Sequence, residues 1–171
     1  MQVKRIAVMM AAAMTGGCTM STMSTMTPVG TPVAIERETI RYATEPCFGT
    51  CPVYSVTVQP DGSGVFTGVQ HTAVTGERAF KATPDAYRRF AARLQPYRPA
   101  QGDMLYEQGT ALCPNAATDG PSVDVRWSDI SGGGAHLRYY YGCGVEKLRP
   151  MADALRAAPA DLPIAAFIGP R

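Results

Sequence analysis

The sequence predicts an α+β domain: an antiparallel β-sheet built from two hairpins plus additional strands, with two helices packed on one face. Three observations carry this. Val53–Gln59 and Ser122–Trp127 alternate apolar and polar residues, and each runs into a glycine-containing turn and a second β-rich segment. Between them, Tyr87, Phe90, Ala91 and Leu94 recur at the spacing of one helix face. Val145, Leu148, Met151, Ala152 and Leu155 repeat that spacing near the end of the chain.

Taken in order, residues 35–43 are expected to form an edge strand, because their alternating charges suit a solvated face. In the strand from Val53, Tyr54, Val56 and Val58 take the buried side. Pro60-Asp61-Gly62-Ser63-Gly64 supplies turn chemistry, and Val65–Val69 returns antiparallel. Glu77–Ala82 gives a third strand. Thr83 is a natural N-cap, Pro84 sits where a missing N–H costs nothing, and Asp85 meets the positive end of the helix dipole. Arg88, Arg89 and Arg93 point outward and Pro96 ends this helix. Residues 97–121 read as a long irregular link.

In the second hairpin, Val123, Val125 and Trp127 share one face. Ser131-Gly132-Gly133-Gly134 turns the chain into His136–Tyr141. Pro150 delays or kinks the start of the last helix, and Leu162–Gly169 is expected to pack back on the sheet.

Three regions precede and include this domain. Residues 1–17 have the layout of an export signal of lipoprotein type. Lys4 and Arg5 open it, Ile6–Met14 is an apolar run too short to span a bilayer, and Thr15-Gly16-Gly17 leads into Cys18. The ending resembles a lipobox, which would place a diacylglycerol on Cys18 and anchor the protein to a membrane. Thr15 stands where such motifs usually carry an aliphatic residue, so cleavage near Ala13 by the ordinary signal peptidase, leaving Cys18 a free thiol, is the alternative. Thr19 in place of Asp does not favour inner-membrane retention, and the expected address is the periplasmic side of the outer membrane. Residues 18–33 form a Ser/Thr/Met tether without charge or aromatic side chains up to its Pro- and Gly-containing end. Its methionines are of a type that binds copper(I), but a tether needs no ligand. Residues 34–171 form one domain by length.

Setting aside Lys4 and Arg5, 14 basic residues face 14 acidic ones. A neutral domain without a basic stripe excludes nucleic acid as the expected partner.

Cys47-Phe48-Gly49-Thr50-Cys51-Pro52-Val53-Tyr54 and the following Pro60-Asp61-Gly62 form a distinctive pattern. With Thr118-Asp119-Gly120-Pro121 and Tyr140-Tyr141-Gly142-Cys143, it resembles a bacterial family known as domain of unknown function 6438. The resemblance spans about residues 40–168. It implies a fold and a cell-envelope setting, and brings no catalytic residues with it.

Four cysteines remain after Cys18: Cys47, Cys51, Cys113 and Cys143. An even count in an exported domain reads as two disulfides. Cys113 and Cys143 flank the open end of the second hairpin, which favours Cys113–Cys143 with Cys47–Cys51 over crossed pairings such as Cys47–Cys143 with Cys51–Cys113. A thiol–disulfide oxidoreductase using Cys47 and Cys51 is the competing enzyme reading. Redox pairs, however, usually have two intervening residues and a helix N-terminus, whereas three residues intervene here and a strand follows. A four-thiolate zinc site would suit a reducing compartment better.

His71 and His136 lack a local serine or acid motif, and Asp119 beside Pro121 reads as a turn-former. Tyr139, Tyr140 and Tyr141 alternate across a strand. One or two belong to the core, and an outward one offers a possible binding face. No catalytic residue, cofactor or metal ligand is assigned. The expectation is a non-enzymatic, lipid-anchored envelope protein whose domain binds a protein or envelope component. A small-ligand binder using Tyr97–Pro121 is a further option.

Overall fold

Seven strands form one sheet in the order β4-β3-β2-β1-β6-β7-β5. The structure is a computed structural model, and residues 37–170 are described. The strands are β1 (Thr39–Thr44), β2 (Val53–Val58), β3 (Ser63–Gln70), β4 (Gly76–Lys81), β5 (Gly102–Tyr106), β6 (Ser122–Ser128) and β7 (Gly134–Tyr140). All neighbours pair antiparallel except β5, which runs parallel to β7. Helices α1 (Pro84–Leu94), α2 (Arg149–Ala157) and the single turn α3 (Ala165–Ile168) complete the chain. The predicted signal at 1–17, Cys18, the tether at 18–33 and the start of the domain before Arg37 lie outside the described residues. No helix among those described is long and apolar enough to cross a membrane.

The predicted side-chain alternation explains the layering. Tyr54, Val56 and Val58 on β2 are buried, as are Val123, Val125 and Trp127 on β6. They meet Tyr87, Phe90 and Leu94 of α1 and Met151 and Leu155 of α2, in one core. Thr83 caps α1 through its hydroxyl, which accepts from the Ala86 N–H at 3.1 Å. The C-terminal segment does fold back on the sheet: Phe167 and Ile168 carbonyls accept from Val74 and Ala73, and the Phe167 ring lies 5.5 Å from that of Phe66.

Two expectations are corrected. β1 is the central strand, not an edge, flanked by β2 and β6. Arg41, the charge within β1, lies on the sheet face that carries no helix, which is solvated in the middle of the sheet as well as at its rim, whereas Glu38 just before the strand is buried against Arg98. The 97–121 link is not wholly irregular, because it contains β5. That strand is five residues long, sits at the sheet edge, and pairs with a segment about thirty residues downstream, so local periodicity carries little sign of it.

The two ends of the sheet are built differently. At one end, β2 and β3 are joined at Asp61-Gly62 and β6 and β7 at Asp129–Gly133. Gly62 has a φ of +86°, and a Cβ there would stand 2.2 Å from the Ala82 carbonyl oxygen, so only glycine fits. At the other end, three connections converge: residues 45–52, 107–121 and 141–145.

Candidate functional site

The converging connections contain the sequence motifs. Phe48 N–H donates to the Asp119 carbonyl at 3.1 Å, Tyr141 N–H to Pro121 at 3.0 Å, and Ala117 N–H to Gly142 at 2.9 Å. Asp119 adopts a φ of +68°, a left-handed conformation that Asp tolerates in turns, and its side chain accepts from the Thr118 hydroxyl at 2.8 Å. Gly142 is required by close approach, since a Cβ would lie 2.4 Å from the Ala117 carbonyl oxygen.

The four cysteines pair as Cys47–Cys51 and Cys113–Cys143, the uncrossed arrangement. The two bonds have opposite surroundings. Cys113 and Cys143 are 0% and 3% exposed, pinning the 107–121 connection under the end of β7. Cys47 and Cys51 are half-buried in a surface loop, and the loop presents Phe48 at 89% exposure. The pair leads into β2 rather than a helix, so no helix dipole bears on either sulfur.

The three tyrosines separate. Tyr139 is core. Tyr140 is half-buried and its hydroxyl is engaged on both sides, donating to the Ala117 carbonyl at 2.6 Å and accepting from Gly120 N–H at 3.0 Å. Tyr141 packs edge-on against Tyr139, with ring centroids 5.2 Å apart, and lines a cleft of about 190 Å³. Tyr42 and Tyr54 also line it, with Pro52 and Pro121, while Glu45 and Arg156 bring charge. The Arg156 guanidinium lies over the Tyr141 ring, 4.2 Å from its centroid. Burial pushes the Tyr141 phenol well above its ordinary range, and that of Tyr139 upward as well. The Tyr141 hydroxyl lies beside Tyr42, which itself donates to the Leu155 carbonyl at 2.9 Å; among the described residues no hydrogen bond of regular geometry reaches the Tyr141 oxygen. Thus Cys51 and Pro52 of the first motif, Pro121 of the second and Tyr141 of the third border one cleft.

The family described as domain of unknown function 6438 matches residues 38–159, from the start of β1 to just beyond α2. The chain belongs to this family. No curated protein matches it.

A second cluster of the family domain occupies the sheet face without helices. Arg41 of β1 sits directly opposite Arg126 of β6, a destabilising like-charge pair. Asp124 offsets both, accepting from Arg126 Nε at 3.0 Å with Arg41 at 4.0 Å. The other Asp124 oxygen faces His136 Nε2 at 2.6 Å, and His136 Nδ1 faces Asp103 of β5 at 3.1 Å. The ring therefore ties β5, β7 and β6 together through side chains. This is the long-range convergence that sequence could not show. Its chemistry is not that of a hydrolytic triad: both ring nitrogens face carboxylates, and no hydroxyl or thiol bonds to either among the described residues. The carboxylates lie on opposite sides of the ring, and no group of metal-binding side chains converges among the described residues. A shallow groove of about 390 Å³ nearby includes Arg41, Arg126 and Arg138. Arg138 is forked by Glu45 and also meets Glu107 at 2.6 Å, so its charge is offset within the fold. His71 lies exposed in the β3–β4 connection, remote in sequence from these groups.

Sequence reasoning missed Arg156, Glu45 and the Asp103–His136–Asp124 row. Arg156 follows the buried Leu155 on a helix that also exposes Arg149 and Asp153, and no local pattern separates it from them. The Asp103 contact depends on β5, which was itself unmarked.

Proposed function

We propose that the chain is an exported protein anchored by a lipid on Cys18, whose domain is a non-enzymatic binding module for a protein or envelope component. The recognition surface is the end of the sheet where the 45–52, 107–121 and 141–145 connections meet. One observation carries this: Phe48 stands 89% exposed on a disulfide-closed loop beside a cleft with mainly apolar walls. A rigidly presented aromatic next to a concave apolar surface is the usual composition of an interaction hot spot. Both His136 nitrogens are taken by carboxylates of neighbouring strands, an arrangement that suits a tie within the sheet more than a base for hydrolysis.

A photo-crosslinking residue placed at Phe48 is expected to trap a discrete partner in intact cells. The same residue at Ile130, an equally exposed apolar position in the β6–β7 turn, is not. Equal capture at both positions, or none at Phe48, overturns the reading. The anchor has its own check, since mass spectrometry of the membrane fraction should find Cys18 acylated.

The second reading, thiol–disulfide exchange at Cys47 and Cys51, is favoured by the half-exposed position of that pair. A bond at Cys47 that resists a glutathione buffer would be structural; one that equilibrates with it would support the exchange reading.

A further inference from the structure

We propose that the cleft between Tyr141 and Arg156 is a subsite for an apolar group bearing a carboxylate. The proposal rests on the reading of this end of the sheet as the recognition surface, and it names the chemistry recognised there.

Size sets the first limit. Sites for drug-sized ligands occupy about 300–1,000 Å³. A volume of about 190 Å³ instead suits one aromatic ring or branched aliphatic group with a short polar extension. The walls suit such a group, because Tyr42, Tyr54 and Tyr141 contribute ring surfaces and Pro52 and Pro121 rigid apolar ones.

Charge sets the second. Two charged side chains line the cleft, and they are not equivalent. Glu45 is held by the forked guanidinium of Arg138, which neutralises it and points its oxygens at the open sheet face. No carboxylate among the described residues forks Arg156 in this way. Its nearest carboxylate, Asp153, is 3.9 Å away, beyond hydrogen-bond length, and its side chain is 55% exposed. Its place over the Tyr141 ring holds the guanidinium beside the cleft, and its exposure leaves N–H donors open to a ligand. A planar fork of donors held at the mouth of an apolar cleft matches a carboxylate in geometry and sign. The arginines of the open face do not offer this: Asp124 bonds Arg126, Glu45 and Glu107 hold Arg138, and Arg41, 4.0 Å from Asp124, borders the polar groove rather than the apolar cleft.

A carboxylate on an apolar group has two sources, a free small acid and the C-terminus of a polypeptide ending in an apolar residue. The test separates them. The full chain is titrated by NMR with 3-phenylpropionate, with the tripeptide acetyl-Gly-Gly-Phe, and with the amide of each. Both acids are expected to shift resonances of Thr44, Tyr54, Ser122 and Tyr141, with the amides weaker by about tenfold or more, as for loss of a charge-assisted hydrogen bond. Arg156→Gln should weaken the acids by a similar factor and leave the amides unchanged. Arg156→Lys should recover part of the loss, and Arg88→Gln on the outer side of α1, away from the cleft, should cause none. A tighter peptide acid assigns the subsite to a chain end, and equal affinities to a free acid; either supports the shared chemistry. Equal binding of acid and amide, insensitivity to Arg156→Gln, or no shifts at the cleft overturns it. Crosslinking at Phe48 is repeated in the Arg156→Gln chain. Capture that persists while the probes fail overturns the subsite alone, whereas probe binding without capture overturns the wider recognition reading.

Discussion

The two ends of the sheet solve the same problem, closing a set of strands, by opposite means. At the Asp61 and Asp129 end, the side-chain hydrogen bonds that shape each turn join residues within five positions of one another, with Lys81 and Ala82 adding outer contacts to the first. Asp61 accepts from Ser63 N–H at 2.8 Å, and Asp129 accepts from Ser131 N–H at 2.8 Å and Gly133 N–H at 2.9 Å. At the cleft end, the closing contacts join residues far apart in the chain: Phe48 with Asp119, Tyr140 with Ala117, and Cys113 with Cys143. Local turns hold a hairpin together but place nothing else. Long-range closure brings three separate segments to one cleft, and it needs covalent help because each connection is long and short of regular structure.

The comparison is broken most severely by removing the Cys113–Cys143 bond. A link across 30 residues stabilises by about 3–4 kcal/mol on the chain-entropy model, and replacing two buried sulfurs adds the cost of an unfilled space. Cys113→Ala with Cys143→Ala is therefore expected to lower the urea midpoint strongly. Hydrogen exchange in the variant should accelerate at residues 107–121 and along β5 while the Asp61 turn keeps its protection. Uniform acceleration at both ends would mean that the ends are not independent.

What was legible in the sequence divides along the same line. Asp61-Gly62 and Ser131–Gly134 announce turns because the chemistry that makes them lies in adjacent residues. Thr83-Pro84-Asp85 announces a helix start for the same reason. The pairing of Cys113 with Cys143 was accessible because both flank a hairpin whose register follows from alternation in β6 and β7. β5 was not, since its partner is set by parallel pairing across a connection that includes β6. The central place of β1 was hidden too: Arg41 looks like an edge residue until Asp124 arrives from β6 to offset it. The motifs that border the cleft were evident, but the expected binding face was an outward tyrosine among Tyr139, Tyr140 and Tyr141 rather than a cleft. The cation that gives the cleft its chemistry comes from α2, and nothing near Arg156 in the chain points to Tyr141.

The comparison is sharpened by the second disulfide. Cys47–Cys51 closes a loop with a sequence separation of 4 and is expected to contribute about 2 kcal/mol. Under graded dithiothreitol, alkylation and mass spectrometry should find Cys47 and Cys51 reduced before Cys113 and Cys143, because reductant reaches the half-exposed pair and not the buried one. Cys47→Ser with Cys51→Ser should leave a folded domain with a modestly lower urea midpoint and reduced crosslinking from position 48. A stability loss as large as that from the buried pair would show that the Phe48 loop supports the fold rather than presenting a surface.

The smallest expected effect lies at the other end and tests its independence. The Ser63 hydroxyl and N–H, with Lys81, hold the Asp61 carboxyl at about 2, below its ordinary 3.8, and the Ser131 and Gly133 contacts lower that of Asp129. A carboxylate depressed in the folded state stabilises fully above its unfolded value, and that contribution disappears as pH falls from about 3.8 toward 2. Urea midpoints measured from pH 5 downward should fall over this window, and Asp61→Asn with Asp129→Asn should flatten the fall. Both groups are solvent-exposed, so the change is small and salt weakens it. The same slope should persist when Cys113 and Cys143 are replaced, provided enough folded protein remains to measure. A seven-residue strand spans about 20 Å, and perturbations that far apart add independently. A slope that vanishes with the buried disulfide would instead mean that the local turns depend on the long-range closure.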